Sequence, residues 1–336
     1  MKIAILFWGL TRSLKYTINS INKNIFDILK KNNIDYDIYL HTYKVNKLYT
    51  NNRSKEKNVK LDFNEYKLLN PKYFIYDDLD EIKNKLNFKL YRTHDDPWPE
   101  EQNNYKTLDN FILALYSKLQ ITNLLRIQIN SQKNSKKNVT KINLYEKKIK
   151  CNNMKIEEIN KKIKKYYYNI NNKNKEIITL KITKLKDDIT FLSNENKDLS
   201  NDSNLITGDY DEKKYDYVIF LRPDVIYLNN FDIKFFDKIT SKDICIPNFC
   251  IFNNFNDRFF ISNIENALLY GSLFNELLEY SKINNCHSET FHYNIIKKKY
   301  NLNINLVKFY FNRVRANGKI LSNDYKSRRS TKNILE

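Results

Sequence analysis

The sequence predicts an α/β fold in which a mostly parallel sheet is covered by helices and interrupted by a long helical insertion. Three observations point there. Short apolar runs such as KIAILFWGL and YDYVIFL alternate with amphipathic stretches of helical period on both flanks of the chain. Between the flanks, residues 127–214 are dominated by Lys, Asn, Ile and Glu, with apolar positions in alternating steps of three and four. All four histidines, all five prolines and both tryptophans lie outside that segment, so the residues with special chemistry avoid it. The expected organisation is one discontinuous domain, 1–126 with 215–336, carrying an inserted hairpin at 127–214.

The elements follow in order. KIAILFWGL is a strand, and TRSLKYTINSINKNIFDILKKN a helix with Ile18, Ile21, Ile25, Phe26, Ile28 and Leu29 inward. YDIYLHTY and KYFIYDD are further strands, and TLDNFILALYSKLQITNLL is a helix capped at Thr107. In the insertion, Ile142, Tyr145, Ile149, Ile156, Ile159, Ile163, Tyr166 and Ile170 form a heptad seam with Asn152 at its polar step. After NNKNK the seam restarts at Ile178, Ile182, Leu185, Ile189, Leu192 and Leu199, which predicts an antiparallel coiled-coil hairpin. Each arm would run on the order of 40 Å. Such a hairpin reads either as an oligomerisation or docking arm or as an insertion without a role. Tyr217–Leu221 then reads as a buried strand that meets Arg222-Pro223-Asp224.

Composition limits the function classes. The chain has 336 residues, 58 Lys and Arg against 39 Asp and Glu, and a formal charge of +19. A hydrophobic fraction of 41% argues for a packed core. Only 4 Gly occur beside abundant Asn, Ile, Lys and Tyr, the bias of an AT-rich coding sequence, so the positive charge is discounted as a sign of nucleic-acid binding. Cys151, Cys245, Cys250 and Cys286 lack paired zinc spacing and read as reduced structural thiols. No cleavage site follows the first apolar run, and no run reaches the roughly 20 residues of a membrane span. A soluble, cytoplasmic protein is expected.

In a parallel sheet, ligands bind beyond the carboxyl ends of the strands. After the first strand come Gly9, Leu10, Thr11, Arg12 and Ser13, a glycine turn into a helix N-terminus, with Arg12 and Lys15 adding positive charge for an anion. His41, Thr42 and Tyr43 end the second. Residues 93–110 form a polar loop with Pro and Trp that suits substrate groups. Pro223 cannot donate to a ladder, so pairing stops there and leaves Asp224 at the edge with Arg222 beside it. A carboxylate so placed suits Mg or Mn bound together with substrate phosphates. P-loop, G-x-G-x-x-G and G-x-S-x-G patterns are absent, which weighs against a P-loop kinase, a dinucleotide oxidoreductase and an α/β-hydrolase.

Taken together, GLTRSLKYTINSI, LHTY, DNFILALYSKLQIT, YDYVIFLRPDVIY, NDRFFISN, HSETFHYNII and NRVRANGK resemble a group of GT-A-type glycosyltransferase-like proteins of large DNA viruses and microbes. The resemblance covers most of both flanks and none of the insertion. It implies a GT-A-like, Rossmann-like domain that takes a nucleotide-sugar donor and transfers its sugar, a hexosyl group, to a glycan or protein acceptor hydroxyl. If viral, the protein would act in the host cytoplasm or the virion. It further implies that Gly9–Arg12 approach the nucleotide, Asp224 holds Mn or Mg, and Arg222 contacts phosphate or sugar. Arg313 and Arg315 would neutralise the diphosphate and Asp257-Arg258 line the acceptor side. Glu289 would act as base or sugar ligand; His287 or His292 would complete a metal shell. One departure stands out: Arg222 occupies the first acidic position of a D-x-D motif, giving R-x-D. Inverting chemistry would take Glu289 or Asp257 as base; retaining chemistry need not place one there. The alternative class is a basic nucleic-acid-binding or assembly protein on a degenerate transferase fold. Against a phosphate-tracking face, lysines of the insertion are interleaved with Glu157, Glu158, Glu176, Asp187 and Asp188.

Overall fold

Strand β1, Lys2–Trp8, carries Ile3, Ala4, Ile5, Leu6 and Phe7, none with any exposed surface. A strand buried on both faces belongs inside a parallel sheet, and in the computed structural model, which describes residues 1–51, 56–99, 104–130, 136–168, 175–205 and 215–321, that is where it lies. The chain divides into two compact units, Met1–Leu125 with Glu212–Glu336 and Arg126–Asp211.

The first unit is mixed α/β. Beyond β1 its main strands are β2 (Asp35–Lys44), β5 (Tyr73–Asp78), β6 (Tyr217–Leu221), β8 (Asp243–Pro247), β9 (Phe260–Ser262) and β10 (Asn303–Val307). Their order across the sheet is β10-β8-β9-β6-β1-β2-β5. Every pair is parallel except those made by β9, which runs against both β6 and β8. The chain leaves β1 through β2 and β5 on one side, then returns through β6 on the other. This reversal puts a topological switch point at the carboxyl ends of β1 and β6. Phe7 pairs with Leu40 and with Leu221, so Gly9 and Arg222 leave the sheet at the same edge.

Pairing in the main sheet stops at Pro223, and the chain turns into β7, Val225–Tyr227, which pairs antiparallel with β11, Phe311–Arg313. A second small ladder joins β3, Tyr49–Asn51, to β4, Glu56–Val59. Neither ladder carries a strong sequence signal, because three or four residues are too few to establish a period.

The helix after β1 is broken where unbroken periodicity was expected. Helix α1, Leu14–Ile21, runs through a wide π turn, Asn22–Phe26, into α2, Asp27–Lys31. The extra residue rotates the inward face. Leu14, Thr17, Ile21, Ile25, Phe26 and Leu29 are buried, whereas Ile18 and Ile28 are only half-buried. The remaining helices are α3 (Leu79–Lys85), α4 (Lys106–Asn130), α7 (Ile264–Gly271), α8 (Phe274–Ser281) and α9 (Ser288–Tyr293). Because α4 begins at Lys106, Thr107 lies in its first turn rather than at its cap.

At the end of α7 the backbone presses on α4: a Cβ on Gly271 would lie 1.8 Å from Thr122 Oγ1. Gly271→Ala is therefore expected to lower stability by roughly 1–3 kcal/mol through overpacking. A denaturant midpoint equal to the wild type's would refute this.

The second unit consists mainly of α5, Lys136–Tyr168, and α6, Lys175–Leu205. Ile163, Ile178 and Ile182 are buried together, with Ile159, Tyr166, Leu185 and Ile189 packed against them. The Asn196 amide donates to Asn153 Oδ1 at 2.8 Å, and Lys181 lies 6.0 Å from the Tyr166 ring. The two helices thus run antiparallel, with the end of α5 beside the start of α6. The expected seam side chains Ile142, Tyr145, Ile149, Ile170 and Leu199 lie outside the described residues, as does the expected boundary at 214. No helix among the described residues is long and apolar enough to cross a membrane.

Candidate functional site

A cavity of about 710 Å³ opens at the switch point. Its wall includes Gly9, Leu10 and Arg12 after β1, Arg222 and Asp224 after β6, and Arg313 and Arg315 from β11 and beyond. Asp257, Arg258, Ser288 and Glu289 line it as well. Thr11 and Lys15 do not. Thr11 is buried, and Lys15 is turned toward Glu65, with Nζ 3.5 Å from its carboxylate. Gly9 has φ +92°, which favours glycine, and its amide donates to Ser117 Oγ at 2.9 Å.

Asp224 answers the puzzle of charges at the end of a core strand. Arg222 folds back on it as a fork, Nε to Oδ1 and Nη2 to Oδ2, both at 2.8 Å. Arg12 Nη2 reaches the same Oδ2 at 3.3 Å. Burial raises the Asp224 carboxyl, but Arg222, Arg12 and Arg313 outweigh it and hold the group well below the usual carboxylate range. The surroundings fix this geometry. Thr17 Oγ1 donates to the Pro223 carbonyl at 2.6 Å, the Val314 amide to the Asp224 carbonyl at 2.8 Å, and Ser13 Oγ to the Val314 carbonyl at 3.0 Å. Arg12 also donates to the Tyr49 hydroxyl and lies 3.8 Å from Glu56. Glu56, in a charged stretch with no local pattern, was invisible to sequence reasoning. It is almost fully buried and accepts the Ala316 amide at 2.6 Å.

This arrangement does not fit the expected divalent cation. A metal at Asp224 would have to displace a guanidinium fork and sit among Arg12, Arg222 and Arg313. His292, the expected second ligand, does not line the cavity; it is fully buried, with Nδ1–H donating to the Ser288 carbonyl at 2.7 Å. Its Nε2 lone pair faces Lys118 Nζ at 3.4 Å, and burial with that lysine pushes its pKa down to about 3. Among the described residues, no three His, Cys, Asp or Glu gather as a metal site.

The positive charge at Asp224 exceeds what the acids there neutralise. Eight Lys or Arg line the cavity against five Asp or Glu. Arg315 is buried, and its guanidinium is pushed down to about 10 by burial, Arg313 and Arg12. The Nε atoms of Arg12 and Arg315 and the indole N–H of Trp8 are buried donors with no acceptor among the described residues. Buried donors of this kind are costly, and the excess of cationic side chains over carboxylates along the wall suits the cavity to an anion.

Asp257 and Glu289 form a second centre on the same wall. Ser288 Oγ lies 2.9 Å from Asp257 Oδ2 and 3.0 Å from Glu289 Oε2, so one hydroxyl spans the two carboxyls. Their environments drive them apart. Burial raises Asp257, but Lys118 and Arg258 more than compensate and keep it ionised. Burial and the Asp257 charge push Glu289 up to about 7.

Behind this pair stands Lys118 of α4, which sequence reasoning missed because it reads as one more lysine of an amphipathic helix. It is fully buried between the rings of Trp8 and Tyr270, each 4.5 Å away. Its Nζ donates to Tyr270 Oη at 2.6 Å and to the Asp257 carbonyl at 3.3 Å. Burial pushes its pKa down to about 7. The one sequence signal was its place inside the apolar run FILALYSKLQI.

His41 turns out structural: it is fully buried, with Nδ1 2.6 Å from Ser117 Oγ and Nε2 3.1 Å from Asp77. No protein-family model and no curated protein matches the chain, so the reading of the site rests on its own geometry.

Proposed function

We propose that the chain is a nucleotide-sugar-dependent glycosyltransferase of GT-A-like architecture, whose arginines hold the donor diphosphate. The observation that carries this is the gathering of Arg12, Arg222, Arg313 and Arg315 around one buried carboxylate at a switch-point cavity. Guanidinium forks match phosphate oxygens in pairs, and about 710 Å³ is ample for a ligand of nucleotide-sugar size. In this reading Asp224 orients Arg222 and Arg12 rather than binding metal. Gly9 lets the backbone come close to the donor, and the arginines stabilise the diphosphate as it leaves.

Glu289, with a pKa near 7, is the group suited to take the proton of the attacking acceptor hydroxyl. Asp257 remains the anion that keeps it so. The antiparallel pair α5–α6 is read as the coiled-coil hairpin of the insertion, separate from this chemistry. The acceptor is a glycan or protein hydroxyl.

The test is a thermal-shift panel of nucleoside diphosphates and their sugars, run in EDTA and again in Mn. One base should stabilise the protein in EDTA, by about 2.7 kcal/mol at a hundredfold excess over Kd. If no nucleoside diphosphate shifts the transition in either condition, the transferase reading fails. A shift seen only with Mn would return Asp224 to a metal role.

A further inference from the structure

Lys118 stands out among the buried groups that the proposed transfer leaves unused. Its Nζ meets three acceptors: Tyr270 Oη at 2.6 Å, the Asp257 carbonyl at 3.3 Å and His292 Nε2 at 3.4 Å. Each is turned to receive a proton. The Tyr270 O–H is committed to the Asp257 carbonyl at 3.3 Å, and the His292 Nδ1–H to the Ser288 carbonyl at 2.7 Å. Three acceptors fit an ammonium, which brings three donors; a neutral amine brings two and would turn its lone pair on the third. The rings of Trp8 and Tyr270, each 4.5 Å away, add faces that attract a cation. A buried ammonium needs a counter-charge. Burial, the largest influence, and Arg222 favour the neutral amine; Asp257 and, more weakly, Glu289 oppose them.

We propose that Lys118 is a positioning residue that fixes the negative charge of the carboxyl pair on Asp257 and leaves Glu289 to exchange the proton. The assignment rests on the reading of Glu289 as the base. Ser288 Oγ touches both carboxyls, at 2.9 and 3.0 Å, so that hydroxyl does not tell them apart. The charges around them do. Arg258 acts on both, and His287 Nδ1 lies 3.6 Å from Glu289 Oε2. Lys118 is the cation that acts most strongly on Asp257, and it bonds that residue's own carbonyl. Without it the last proton of the pair must leave at higher pH, whichever carboxyl holds it.

The experiment compares Lys118→Met, an apolar side chain of similar length, with the wild type. Each is made with Glu289 and with Glu289→Gln, and stability is measured by denaturant titration across pH. In the wild type the two curves diverge from the ordinary value of 4.5 and run parallel again above about 7. In Lys118→Met the divergence should continue at least about one pH unit higher, the scale of losing a nearby opposite charge. The ascending limb of the transfer rate should move with it. The rate near pH 7 should then fall by at least about fivefold and recover at higher pH. A merely structural lysine would lower the rate at every pH and leave the limb in place. Lys118→Met with Asp257→Asn removes both charges and covers the case of a single variant too unstable to measure. It should be more stable than Lys118→Met alone, because no buried anion is stranded. Its Glu289, freed of the Asp257 charge that raises it, should ionise below its wild-type value. Divergence in Lys118→Met that stops where the wild type's does overturns the proposal. So does a double variant no more stable than the single, or one whose Glu289 still ionises near 7. Wild-type curves that never diverge overturn the reading of Glu289 and this assignment together, which sets that failure apart.

Discussion

Asp224→Asn is expected to destabilise the protein by roughly 3–5 kcal/mol, the scale of removing one partner from a buried ion pair. The asparagine matches the carboxylate in shape but leaves Arg222 and Arg12 without their shared counter-charge, 2.8 and 3.3 Å away. Arg313 and Arg315, already crowded with them, add to the repulsion. The sign separates this arrangement from a metal site. Where a carboxylate waits for a cation, neutralising it in EDTA relieves repulsion and leaves stability equal or higher. Here it should fall in EDTA and in Mn alike. Denaturant titration at neutral pH measures it, and a variant as stable as the wild type would discard the arginine-anchor assignment. The pH dependence follows from the same pairing. The Asp224 carboxyl is held below its ordinary value of 3.8, so its contribution is complete above that value and is lost as pH falls below it. Near neutrality it should be flat.

The parts of the fold legible in the sequence were those with long periods. β1, β2 and β6 announce themselves as apolar runs because strands buried on both faces need them, while β5, a half-buried edge strand, shows as a short aromatic run. β9 gives no such signal, having three residues, and yet it alone runs against its neighbours and joins β8 and β10 to the rest of the sheet. At the site, the turn at Gly9 and the run Arg222-Pro223-Asp224 were legible because a lone glycine and a proline each disrupt a strand for a physical reason. Their purpose was harder to read. Sequence spacing gives Asp224 as an available carboxylate; only tertiary geometry brings Arg12 from the other side of the switch point to occupy it. His292 failed as a ligand candidate on the same ground, since one turn of α9 decides whether an imidazole faces the cavity or Lys118. Lys118 shows the converse case. A buried lysine and a solvated one look alike in sequence, and burial by Trp8 and Tyr270 is a long-range fact.

Glu289→Gln carries the other large effect. In the proposed transfer it removes the proton acceptor, and the rate should fall by roughly 10²–10⁴-fold, with substrate affinity little changed because shape and hydrogen-bonding reach are kept. The wild-type rate should rise with pH through about 7, where Glu289 ionises, and the residual rate of the variant should lack that limb. Stability gives a readout that needs no substrate. The Glu289 pKa is raised in the fold from 4.5 to about 7. The native state therefore holds this proton more tightly than the unfolded chain between those values. Its contribution is full below 4.5 and is lost as pH rises through about 7. Glu289→Gln, fixed in the neutral form, should match the wild type near pH 3.5 and exceed it in stability near pH 8 (each about one unit outside the window between the two values). If the two proteins show parallel stability curves across that range, Glu289 is not held protonated by Asp257 and its burial, and the base assignment loses its footing whatever the activity assay reports. If the curves diverge as expected but the rate is untouched, the carboxyl pair is a structural device and the proton must leave by another group.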